Sequence, residues 1–250
     1  IVSRQTPALR EFLDRTAVLD QFSVPLANAV TGRRDSHARI AELERANLFI
    51  LRLDHERIWY RYHHLFSAFL RQRLKASDPE LLKSLYRRAC DWLASNELHA
   101  EALRYALRGG LYGPAVRLLE HHGRSLLREA NFKELNYWLE TLLRPALARS
   151  ATLCVLDAWS QLYLGDALAA IRASRAAELA IERIGSGRRA SAGLRTLRAE
   201  LQILRTMSGV TRYDLPNVSG LRAELPLSFG PEDPLQRAYA HVVLGYAERL

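Results

Sequence analysis

Cysteine and lysine are nearly missing from this sequence. The two cysteines, Cys90 and Cys154, lie far apart. They form no CxxC pair and no metal-type spacing, and they fit a reduced, cytoplasmic setting. Lysine occurs only at Lys75, Lys83 and Lys133, so nearly all of the 36 basic residues are arginine. No apolar run approaches the roughly 18 residues of a membrane helix. No basic-then-apolar segment opens the chain as a secretory leader would. There is no G-x-x-x-x-G-K-[ST], no H-E-x-x-H and no G-x-S-x-G. Paired carboxylates such as Glu42 and Glu44 belong to an ordinary charged helix surface. The sequence therefore offers no catalytic constellation and no metal site, and an enzyme is not expected within it.

What is present is a soluble, helical composition. Of the 250 residues, 48% are hydrophobic and 25% charged, which is ordinary for a globular protein and enough for one large domain or two. The net charge is +9. Such a balance draws phosphate backbones when it is clustered. Here acidic and basic residues are interspersed, with no block of five or six like charges. The chain opens at Ile1 and stops at Leu250 inside a helical pattern, which reads as a segment of a longer protein.

Two regions differ in grammar, with the division at 76/77. In residues 1–76, ALREFLDRTAVL places Leu9, Phe12, Leu13 and Leu19 at helical spacing. QFSVPLANAV is a shorter helix interrupted before Pro25. In SHARIAELERANLF, Ser36 suits an N-cap ahead of Ile40, Leu43 and Leu48. The period then changes. LFILRL and RIWYRY are β-branched and aromatic runs separated by DHE, a hairpin signature. Trp59 and Tyr60 should alternate inward and outward. HLFSAFLRQRL resumes the helical period, with Leu65, Phe66 and Phe69 expected in the core. Helices, a hairpin and a helix outline a winged-helix module.

Residues 77–250 read as helix after helix. HAEALRYALRGG ends on a glycine pair suited to a helix terminus. GPAVRLLEHHG predicts a helix ending at His121 and His122, where imidazoles suit the dipole. ALAAIRASRAAELAIERIG carries Ala170, Ala173, Ala177 and Ala180 on one close-packing face. Helical pairs of this size predict an α-solenoid of tetratricopeptide-like (TPR-like) repeats, against the alternative of a non-repetitive bundle. TRYDLPNVSGLRAELPLSFGPEDP reads as a loop or short helix. The expected fold class is thus mainly α, a winged-helix module with one β-hairpin followed by that solenoid.

The adjacent histidines His63 and His64 stand where the second strand gives way to a helix. Neighbouring residues diverge in direction, so the two could not readily share one metal. A helix start offers free N–H groups and partial positive charge, and an imidazole N–H there can donate to a phosphate. The alternative is a histidine that only caps or packs under the helix.

The runs FLDRTAVLDQFSVPLANAVTGRRDS and LERANLFILRLDHERIWYRYHHLFSAFLRQRL resemble the winged-helix segment of the large ATP-dependent LuxR-type (MalT-like) transcription regulators. DPELLKSLYRRACDWLASNELHAEALRYALRGGLYGPAVRLLE resembles the start of their helical-repeat sensor domain. The resemblance runs from about Phe12 to Glu120 and thins to composition beyond Gly185. It implies an upstream signal-transduction NTPase module with a P-loop and a downstream helix-turn-helix that binds DNA. It further implies ADP buried against the winged helix, and a small inducer or regulatory protein on the repeats. ATP exchange and self-association would follow. In related NTPases a Met-His-Asp motif senses the ADP phosphate. Tyr62-His63-His64 matches it by position, which makes His63 the candidate ADP sensor, with His64 in place of the acidic residue. A winged helix reading DNA through SHARIAELERANL, and a free-standing repeat scaffold for partner proteins, are the competing readings.

Overall fold

The computed structural model describes residues 5–46, 49–53, 59–142, 144–185, 192–210, 237–238 and 241–242. It divides into two compact units, residues 1–111 and 112–250.

The first unit is built on α1 (Pro7–Thr16), α2 (Val24–Thr31), α3 (Ser36–Arg45), the hairpin β1 (Ile50–Arg52) and β2 (Tyr60–Tyr62), then α4 (His64–Ser77), α5 (Pro79–Ser95) and α6 (His99–Arg108). Leu9, Phe12 and Leu13 of α1 are buried at the predicted spacing, and Leu19 follows them. Pro25 opens α2 rather than interrupting it: Ser23 caps the helix by accepting from the Leu26 N–H, and a proline in the first turn forfeits no bond. Ser36 is the first residue of α3 rather than its cap, and its N–H donates to the Asn28 side chain at 3.2 Å. The strands pair antiparallel, Ile50 with Tyr62 and Arg52 with Tyr60. Phe22 extends this ladder by exchanging two 2.8 Å backbone bonds with Tyr60. Tyr60 is buried and Trp59 half-buried.

In α4 the core-facing stripe is Phe66, Leu70 and Leu74. Leu65 and Phe69, expected inside, are 68% and 52% exposed. Two apolar stripes run along this helix, rotated by about 100°, and only one can face the core.

Helix α5 packs on α2 and α4, and α6 packs on α5, so this first helical pair folds with the winged helix. Asp78 caps α5. Gly110 closes α6 with φ +62°, a left-handed turn that suits glycine.

The second unit runs α7 (Tyr112–Arg128), α8 (Phe132–Thr141), the short α9 (Arg144–Leu147), α10 (Ala151–Tyr163), α11 (Ala167–Gly185) and α12 (Ala192–Val210). Helix α10 is its centre. It packs against α7, α8, α11 and α12, the contact pattern of stacked helical pairs. Ala170, Ala173, Ala177 and Ala180 are all buried. Helix α7 continues five residues beyond Gly123, correcting the predicted end at His122. The glycine is there for space: an added Cβ would stand 2.8 Å from Leu156 Cδ1. The run from Thr211 to Pro234 lies outside the described residues.

Candidate functional site

The site is assembled at the junction of β2 and α4. Tyr62 ends the strand with its ring buried between Phe22, at 5.1 Å, and Phe66, at 5.8 Å edge to face. The Thr16 hydroxyl donates to the Phe12 carbonyl at 2.7 Å, so across their 2.8 Å contact the Tyr62 hydroxyl is the donor to Thr16. Burial holds the Tyr62 phenol well above its ordinary pKa. No sequence signal could have named Thr16, which lies 46 residues from its partner.

This anchoring fixes the next residue. The His63 N–H donates to the Phe49 carbonyl at 2.7 Å, carrying the hairpin ladder one step further. The His63 carbonyl accepts from Ser67 at 3.0 Å, the first bond of α4. His63 is thus the N-cap residue, and its half-buried side chain makes no capping bond. The first-turn N–H groups of α4 therefore lack a side-chain cap, which leaves them open to an external acceptor. His64 is exposed and its ring lies 4.4 Å from that of His63, tilted by 34°. Adjacent positions have been brought side by side. Among the described residues no group of three or more His, Cys, Asp or Glu is placed to hold a metal.

The surroundings are apolar and exposed. Phe49, Leu51 and Leu53 on the wing are 40–45% exposed, alongside Leu65 and Phe69 of α4. Arg61 is exposed. Arg57 lies outside the described residues.

Helix α3, the natural recognition helix for a DNA reading, has its cations engaged. Arg39 pairs with Asp35 at 3.2 Å and Glu42 at 2.8 Å. Arg45 donates to its own helix at Ala41, and Glu44 pairs with Arg52 of β1. The Arg33 hydrogen bond, aided by Arg39, holds the Asp35 carboxyl below its usual range. A cleft of about 600 Å³ beside α1 is lined by charges that also pair among themselves, Arg73 with Asp14 at 2.5 Å and Arg15 with Glu11 at 2.9 Å.

In the second unit, Glu200 of α12 is 1% exposed. It accepts from Arg124 of α7 at 2.6 Å and from the Trp159 indole of α10 at 3.0 Å. Burial raises the carboxyl of Asp157 and takes the Cys154 thiol up to about 11. A cleft of about 480 Å³ opens between α11 and α12. No described helix is long and apolar enough to cross a membrane.

Residues 1–82 match the family model of the MalT winged helix domain. The serine/threonine-protein kinase PknK of Mycobacterium tuberculosis is 30% identical over 218 residues, 87% of this chain and 19% of the relative. The HTH-type transcriptional regulators MalT of Vibrio cholerae and Cronobacter sakazakii are 35% and 32% identical over 151 residues, in each case 60% of this chain and 17% of the relative. The chain thus spans about a fifth of the length of these relatives. The kinase and regulator titles belong to the whole relatives. With the hairpin, the α4 junction and the helical pairs in place, the chain opens with a winged helix domain of the MalT type and, beyond it, is similar to internal segments of MalT and PknK.

Proposed function

We propose that this segment is the regulatory middle of an ATP-dependent LuxR-type transcription activator. The winged helix closes on an upstream nucleotide-binding module, and His63 contacts the phosphate of bound ADP. The helical pairs receive the signal, as a small inducer or a regulatory protein. ATP in place of ADP shifts the population toward an open, self-associating state. DNA is bound by a downstream helix-turn-helix of the same protein. The chain itself is not an enzyme on this reading.

The observation that carries the proposal is the seat of His63. Its backbone is bonded on both sides, yet its imidazole makes no capping bond at an N-terminus rich in free N–H groups. The exposed Leu65 and Phe69 beside it supply apolar surface of the kind a closing module would cover. Of the α3 arginines, Arg39 is paired with two carboxylates and Arg45 is turned back onto its own helix at the Ala41 carbonyl, which disfavours direct reading of DNA by the wing module.

The test is His63→Ala in the full-length protein. A charged hydrogen bond contributes about 1.5–3 kcal/mol, so ADP should bind roughly 10- to 100-fold more weakly. Co-purified ADP should fall and basal transcription should rise. Unchanged ADP retention with unchanged basal transcription would sink the assignment.

A further inference from the structure

We infer that Asp20 is a latch fastening the first helical pair, α5 and α6, to helix α4, so that these three helices move as one body. Asp20 stands in the turn after α1. Its carboxylate accepts from Arg71 of α4 at 3.0 Å through Oδ1 and from Arg108 of α6 through Oδ2. Its backbone N–H donates to the hydroxyl of Tyr105, also on α6, at 2.9 Å. One loop residue therefore holds α4 once and α6 twice.

The contacts on either side give the latch its direction. Arg71 also donates to the Ser67 hydroxyl at 2.9 Å, one turn nearer the start of α4. The Ser67 N–H in turn bonds the His63 carbonyl. A continuous series therefore runs from Arg108 through Asp20, Arg71 and Ser67 to His63. On the far side α6 is pressed against α5: a Cβ on Gly109 would lie 2.7 Å from Tyr86 Cβ. Helix α5 is tied down separately, by Arg88 donating to the Val30 carbonyl of α2 at 3.1 Å. A displacement that enters at α6 cannot leave the winged helix unmoved while Asp20 is charged and bound. Without the carboxylate, Arg71 and Arg108 would confront each other as two unneutralised cations.

The latch itself needs no nucleotide. Only its use, carrying a signal from the helical pairs to His63, rests on the reading above. The test is hydrogen exchange by mass spectrometry on the 250-residue chain without nucleotide, comparing Asp20→Asn, Arg108→Gln and Arg33→Ala. Asp20→Asn retains the backbone bond to Tyr105 and the side-chain shape. It should speed exchange in α6 and in the Ser67–Arg71 turn of α4 by roughly three- to tenfold. Exchange in α1 and α2 should be unchanged. Arg108→Gln, a surface change, should speed α6 alone. Arg33→Ala removes other ion pairs of the same unit and should alter neither. Unchanged α6 exchange in Asp20→Asn overturns the latch. So does equal acceleration across α1, α2, α4 and α6, which would make Asp20 a general stabiliser. Loss of the ADP role of His63 would leave these exchange results as they are, so the two failures are separable.

Discussion

Replacing Thr16 by valine should cost more than deleting the Tyr62 hydroxyl, although both changes break the same bond. The Thr16 hydroxyl already donates to the Phe12 carbonyl, so it accepts from Tyr62. Tyr62→Phe leaves an unused lone pair on a hydroxyl that is otherwise satisfied. That is the ordinary loss of one hydrogen bond, about 1 kcal/mol. Thr16→Val is close in shape but strands a phenol donor at a residue only 3% exposed. Leaving a buried donor unsatisfied costs about 1–3 kcal/mol. The double variant removes both partners and should return close to the single Tyr62→Phe value, below Thr16→Val. Native-state hydrogen exchange of the α1 and β2 amides reads these costs as opening free energies. The reasoning fails if Thr16→Val costs no more than Tyr62→Phe, or if the two costs simply add.

Three further outcomes follow from the packing and charges. Glu200→Ala should destabilise the second unit by about 3–5 kcal/mol by breaking a buried ion pair, whereas Glu200→Gln, which can still accept from Trp159, should cost clearly less in urea denaturation. Gly123→Ala gains about 1 kcal/mol of helix propensity. It also drives a Cβ to 2.8 and 3.3 Å from Leu156 and Leu135, which are fully buried and unable to yield. Overpacking of about 1–3 kcal/mol should win, and thermal melting that shows stabilisation would refute the close fit. Burial pushes the Tyr105 phenol up to about 12. The folded state thus favours the neutral phenol, and this stability is complete below the unfolded value near 10 and is lost as pH rises from about 10 to 12. The loss should reach roughly 3 kcal/mol, and an alkaline denaturation series on Tyr105→Phe should lack that part of the slope.

The elements of this fold were largely legible because they announce themselves locally. The hairpin was visible in two aromatic, β-branched runs, and the alanine face of α11 in its three- and four-residue spacing. What failed was phase and continuity. Helix α4 has apolar residues at 65, 66, 69, 70 and 74. Periodicity alone does not say which pair of stripes the preceding strand will rotate inward. The seating of Tyr62 on Phe22 and Phe66 decides it, and that is tertiary information. Gly123 read as a helix end because a glycine usually marks one, whereas here it admits Leu156. His63 stands out as a candidate through local position and resemblance. Thr16 and Asp20 do not, because their partners lie from 46 to 88 residues away.

The near absence of lysine has a practical side. Each ion pair named above uses a guanidinium, often shared: Arg39 serves both Asp35 and Glu42, and Arg71 serves both Asp20 and Ser67. A lysine ammonium donates from a single nitrogen and lacks this planar, two-armed geometry. Lys75, Lys83 and Lys133 are exposed and take part in none of these pairs. Acetylation, or any amine-directed reagent, would thus blunt the surface charge without loosening the electrostatic frame. Amine cross-linking would return almost no distance restraints for this segment, and carboxylate- or arginine-directed chemistry is the route to mapping its neighbours.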